Sequence, residues 1–120
     1  KIYFLWQLQD SIGKKEISKS LNIAKSLLIN GVSLIQIISN LSNLFSQLLY
    51  RPKNKQNLGY TGLNKIVTKN LGYYNKKYSH SDIENAILVL RDYDVIYKTS
   101  SINDLIALNI IIVKICKGIY

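Results

Sequence analysis

The last forty residues, YSHSDIENAILVLRDYDVIYKTSSINDLIALNIIIVKIC and the short tail after them, constrain the fold of this chain more than any other stretch. Two helices can be read there, each opening on a side-chain cap. The first is predicted to start at Ser81-Asp82-Ile83-Glu84, where Ser81 and Glu84 have the spacing of a capping box and can satisfy each other's free backbone donors. Its apolar residues then recur at Ile83, Ala86, Ile87, Leu90, Tyr93 and Tyr97, a helical period. The second is predicted to open at Ser101-Ile102-Asn103-Asp104 and to run through Leu105, Ile106, Leu108, Ile110, Ile111, Ile112, Val113 and Ile115. A helix apolar nearly all the way round cannot lie on the outside of an isolated small bundle. It requires neighbours on more than one side.

The rest of the chain supplies helices to meet it. A first helix is predicted over Ile2 to Ile12, with Phe4, Leu5, Leu8 and Ile12 as its inner stripe and Gly13 as its stop signal. A second, from Lys15 to Asn30, carries Ile17, Leu21, Ala24, Leu27 and Leu28 and ends at Gly31. A third opens on Ser33-Leu34-Ile35-Gln36, another capping box, and reaches Tyr50 with serines and asparagines opposite its apolar face. Residues 51–60, RPKNKQNLGY, hold the only proline and read as a loop. A fourth helix is predicted over Asn64 to Tyr78, weakened in its middle by Gly72. No strand pattern persists, so the expected fold is all-α: one bundle of five to six helices. Its expected core includes Leu8, Leu21, Leu28, Ile38, Leu41, Phe45, Ile87, Leu90 and Leu108.

The order and lengths of these segments resemble the C-terminal domain of the bacterial DNA polymerase III delta subunit. The resemblance is carried by FLWQLQDSIGKKEISKSLNIAKSLLINGVSLIQIISNLSNLF at the start and by LRDYDVIYKTS before the Ile/Leu-rich final helix. The family pattern places an Asp and then Lys-Thr or Lys-Ser between its last two helices, and Asp94, Lys98 and Thr99 match it here. The chain departs from that pattern at Gly62 to Lys65, where Lys65 stands in the place of a proline. The resemblance implies a clamp-loader collar-like bundle, residues 1–120 forming one C-terminal oligomerisation domain cut from a longer chain. The absence of Met and the opening directly on an amphipathic helix suit that expectation. The partners it implies are the gamma/tau-type and delta-prime-type clamp-loader subunits, DNA held weakly and without sequence preference, and the sliding clamp through regions outside these residues. A bacterial cytoplasmic, nucleoid-associated location follows from the same resemblance.

Charge adds a second line of argument. The chain has a formal charge of +9, and from Lys19 to Lys77 it contains nine cations and no acid. Such a field attracts polyanions. Lys53, Lys55, Lys65, Lys69, Lys76 and Lys77, interleaved with Tyr60, Tyr73, Tyr74 and Tyr78, are the candidate nucleic-acid contacts, since lysines neutralise phosphates and aromatics stack on bases. Two plainer readings stand beside this one: a solvated basic face needs no partner, and Tyr74 and Tyr78 have the spacing of core residues.

No catalytic constellation is legible. Gly13-Lys14-Lys15 lacks the spacing of a phosphate loop, and the acids Asp92 and Asp94 point to different helix faces. One His and one Cys cannot build a zinc site, so no metal and no cofactor are expected. The lone Cys116 excludes an internal disulfide and reads as a small core hydrophobe, and no apolar run approaches the length of a membrane span. Two functions remain in view. One is a non-catalytic assembly domain using Ile106, Leu108, Ile110, Ile112, Val113 and Ile115 as a subunit interface; the other is a free-standing basic helical module that binds DNA or RNA. The apolar final helix favours the first, because a solitary nucleic-acid binder has no use for it.

Overall fold

The computed structural model describes residues 2–50 and 61–120, and these form seven helices and no strand. They are α1 (Leu5–Gly13), α2 (Ile17–Ile29), α3 (Leu34–Tyr50), α4 (Lys65–Lys69), α5 (Leu71–Lys77), α6 (His80–Thr99) and α7 (Asp104–Lys117). The all-α bundle stands, with one helix more than expected. The predicted fourth helix is broken at Asn70 into α4 and α5, because Asn70 and Gly72 are both poor helix-interior residues. The loop predicted over residues 51–60 lies outside the described residues.

The starts of α3, α4, α6 and α7 follow side-chain caps, and for α6 and α7 these are different residues than the sequence suggests. Asp82 N–H donates to Ser79 Oγ at 3.0 Å and Ser79 N–H donates to Asp82 Oδ2 at 3.1 Å. The capping box of α6 is therefore Ser79 with Asp82, two residues before the Ser81–Glu84 pair of the same pattern. Asn103, not Ser101, caps α7: its Oδ1 accepts from Leu105 N–H at 2.9 Å and Ile106 N–H at 3.1 Å. At α3 the serine cap is as expected, with Gln36 N–H donating to Ser33 Oγ at 3.1 Å.

The α2–α3 turn uses Gly31 at φ 91°, a left-handed geometry that favours glycine. Gly13 is the last residue of α1, so the helix stops where expected, and the left-handed residue that turns the chain after it is Lys15, at φ 60°.

The core forms where α3 lies along α6 and where α7 is wedged between α2 and α6. Leu8, Ile38, Leu41, Phe45, Leu90 and Leu108 are buried as expected. Leu21, Leu28 and Ile87 are only half-buried and pack against the core from its margin. Helix α1 closes the remaining side against α2 and α3. Two polar contacts tie it there: Gln9 Nε2 donates to the Asn40 carbonyl at 2.8 Å, and the Ser11 and Ser20 hydroxyls lie 2.8 Å apart in the interior.

Candidate assembly surface and basic face

Helix α7 is a central helix, and this changes the meaning of its composition. The neighbours it requires on more than one side come from its own domain, because α2 and α6 flank it on two sides and α1 also touches it. Leu108, Ile112 and Ile115 are fully buried in the domain's own core, together with Ala107 and Ile111. Those three are therefore filled positions of the bundle. Ile106, Ile110 and Val113 remain on the outward flank, at intervals of four and three residues that align them on one strip. Ile106 is 56% exposed, and Ile110 and Val113 are half-buried.

The strip begins near the tip of the α6–α7 hairpin. After Leu90 no residue is buried until Ala107; in the second half of α6 and the turn after it, Tyr93, Tyr97 and Ile102 pack against the core from its margin. Val95, Ile96 and Ile106 are exposed there. Asp94 and Lys98 form an ion pair at 3.0 Å one helical turn apart, and Thr99 Oγ1 donates to the Val95 carbonyl at 2.8 Å, fraying-end contacts that hold the tip helical.

The basic residues divide similarly. Lys65 and Lys69 are exposed one turn apart on α4, and Lys76 and Lys77 are exposed at the end of α5. Lys77 Nζ stands 5.5 Å from the centre of the exposed Tyr73 ring, within cation–π range. Lys53, Lys55 and Tyr60 lie outside the described residues. Tyr74 and Tyr78 are buried and belong to the core.

Those two tyrosines dock α5 on the end of α1, an anchoring that the sequence reading did not identify. The Tyr74 hydroxyl donates to Asp10 Oδ1 at 2.5 Å, and Lys14 Nζ lies 3.1 Å from Asp10 Oδ2. The Tyr78 hydroxyl donates to the Ile12 carbonyl at 2.6 Å, a second bond to an acceptor that also takes the Lys15 N–H at 2.9 Å, while Lys15 Nζ sits 4.5 Å from the centre of the Tyr78 ring. Gly13 makes this possible, because a Cβ there would fall 2.6 Å from the Tyr74 ring. Burial, and for Tyr74 also the Asp10 carboxylate, pushes both hydroxyls well above the ordinary tyrosine range. Burial likewise pushes the Cys116 thiol up to about 11, against the opposing pull of Lys15 and a hydrogen bond with Tyr78. The signal available in the sequence was the four-residue spacing of Tyr74 and Tyr78, which marks one buried face; nothing in it pointed across to Asp10.

Among the described residues no three His, Cys, Asp or Glu side chains come together where they could hold a metal ion. His80 is exposed at the start of α6, 3.5 Å from Glu84. No helix of the described residues is long and apolar enough to cross a membrane.

The arrangement defines a class: a helical domain whose unfilled features are surfaces, an apolar strip and a lysine-bearing face. Comparison with family models gives the particular family. The model of the DNA polymerase III delta subunit, C-terminal domain, matches residues 5–115, and the chain belongs to that family. No curated protein and no solved structure gives a significant match.

Proposed function

We propose that this domain is the non-catalytic assembly domain of a DNA polymerase III delta subunit, holding it in the clamp loader during DNA replication. The observation that carries the reading is the apolar strip of Ile106, Ile110 and Val113 along the outward flank of α7, left over after the bundle has closed its own core. Burying such residues against a neighbouring subunit contributes about 1.5–3 kcal/mol per large side chain before the cost of association. The proposed neighbours are subunits of the gamma/tau and delta-prime type. The complex works on DNA in the bacterial cytoplasm, and the delta subunit reaches the sliding clamp through other parts of its chain. Neither a cofactor nor a catalytic residue is assigned to this domain.

Reconstitution of the loader with Ile106→Asp in full-length delta tests this reading. Ile106 is exposed, so the variant is expected to keep its helical content and melting midpoint while failing to co-elute with the other subunits. Normal incorporation would overturn the proposal. A second reading is favoured by the exposed lysines of α4 and α5: the same domain lends a weak, salt-sensitive DNA contact to the assembled loader through Lys65, Lys69, Lys76 and Lys77.

A further inference from the structure

Although α4 and α5 are separate helices, the chain keeps its helical period across the break between them. Asn70 N–H donates to the Ile66 carbonyl at 3.2 Å, and Tyr74 N–H donates to the Asn70 carbonyl at 3.0 Å. Two faces therefore run the length of the segment. Val67, Leu71, Tyr74 and Tyr78, spaced by four, three and four residues, are buried. Lys65, Lys69, Tyr73, Lys76 and Lys77 are exposed, and their spacing of four, four and three or four residues aligns them on the opposite strip. Successive positions stand about 5–6 Å apart along the axis.

The strip carries uncompensated charge. None of its four lysines is in an ion pair among the described residues. The carboxylate that this segment reaches, Asp10, lies on the buried side, where Tyr74 and Lys14 occupy it. Between the lysines Tyr73 is 48% exposed. Its ring stands edge-on to the buried Tyr74 ring, with 6.5 Å between centres and 72° between planes, and Lys77 Nζ is 5.5 Å from its centre. Because Tyr74 is bonded to Asp10 of α1, the exposed ring is carried on an anchored part of the bundle. A row of cations around one solvent-facing ring suits a strand whose phosphates follow the lysines while a base lies flat on the ring. A duplex offers the phosphates but not the base face, since its bases are stacked on one another. An acidic peptide offers the charge alone.

We propose that the α4–α5 strip holds a single strand of DNA, with one base stacked on Tyr73 and neighbouring phosphates on Lys65, Lys69, Lys76 and Lys77. The proposal rests on the reading of these lysines as a DNA contact, and adds to it the form of DNA and the residue that selects it. It uses a different surface from the α7 strip and does not depend on the assembly reading.

Fluorescence anisotropy of this chain with three labelled probes of about twelve nucleotides tests it: oligo-dT, an abasic strand with the same phosphates, and a duplex. Oligo-dT is expected to bind about fivefold or more tightly than either of the others, the gain that stacking of one base supplies. Tyr73→Phe should keep this preference. Tyr73→Leu should remove it and leave the weaker, salt-dependent binding shown by the abasic strand. Both variants replace an exposed residue and should melt like the parent. Equal binding of oligo-dT and the abasic strand, tighter binding of the duplex, or a Tyr73→Leu variant that keeps the preference would overturn the inference and leave the lysines as a plain DNA contact. Failure of all three probes to bind would remove that contact and the inference together. A polyglutamate peptide of equal charge that displaces oligo-dT would make an acidic protein the occupant, and the inference would fall.

Discussion

Gly13 shows how a residue's role can be invisible in its neighbours along the chain. Read locally, a glycine after an apolar stripe ends a helix; in the fold it is the flat spot on which the Tyr74 ring rests. Gly13→Ala places a methyl where ring atoms lie within 2.8 Å, so Tyr74 must shift and its bond to Asp10 with it. We expect a loss of about 1–3 kcal/mol, read from chemical denaturation, with the helix otherwise intact. Tyr74→Phe keeps the ring and removes only the hydroxyl, and should lose about 2 kcal/mol as a hydrogen bond to a charged group. If Tyr74→Phe is as stable as the parent, the Asp10 contact is not an anchor. The buried hydroxyls and thiol also set a pH dependence. Their raised folded values mean the native state keeps protons that the unfolded chain releases. Their stabilisation is intact below the ordinary thiol value of about 9 and falls as pH rises through about 11 and beyond. Denaturation midpoints should decline across that window, and Cys116→Ala should shallow the decline.

At the scale of the helix, periodicity was readable and boundaries were not. The apolar repeats of α1, α2, α3, α6 and α7 placed each helix, because burial of one stripe is what makes short helices stable at all. They placed the inward faces less well: Phe4, assigned to the inner stripe of α1, is 62% exposed, and Leu21, Leu28 and Ile87 reach only the margin of the core. The start of α6 was misplaced by two residues since Ser79–Asp82 and Ser81–Glu84 have equivalent cap chemistry, and local sequence does not choose between them. The choice shows as a prediction: Ser79→Ala should cost about 1 kcal/mol and Ser81→Ala, at an exposed position, a few tenths at most. Equal effects would mean that the cap is not where the hydrogen bonds place it. The break at Asn70 was foreshadowed by Gly72 but not located by it. For α7 the composition was read correctly as a demand for several neighbours. What sequence did not show is that α2 and α6 meet most of that demand from within.

For the whole molecule, topology decides what is left for function. Wedging α7 between α2 and α6 removes Leu108, Ile112 and Ile115 from any interface and leaves Ile106, Ile110 and Val113 on the outward strip. The family was legible because its signature is the order of helices along the chain, which this sequence preserves over residues 5–115. The surfaces were not, because exposure depends on which helices become neighbours. The excess of cations, by contrast, is concentrated between Lys19 and Lys77. Lys65→Glu with Lys69→Glu should lower DNA-stimulated activity of the full loader and flatten its salt dependence while leaving the bundle folded. Unchanged activity and salt slope would reduce these lysines to a solvated face. The assembly role is tested most directly by the equilibrium affinity of full-length delta carrying Ile106→Asp for the remaining loader subunits, measured beside the parent. A loss of about a hundredfold or more is expected, equivalent to about 2.7 kcal/mol, with no change in melting midpoint. An affinity equal to that of the parent would contradict it.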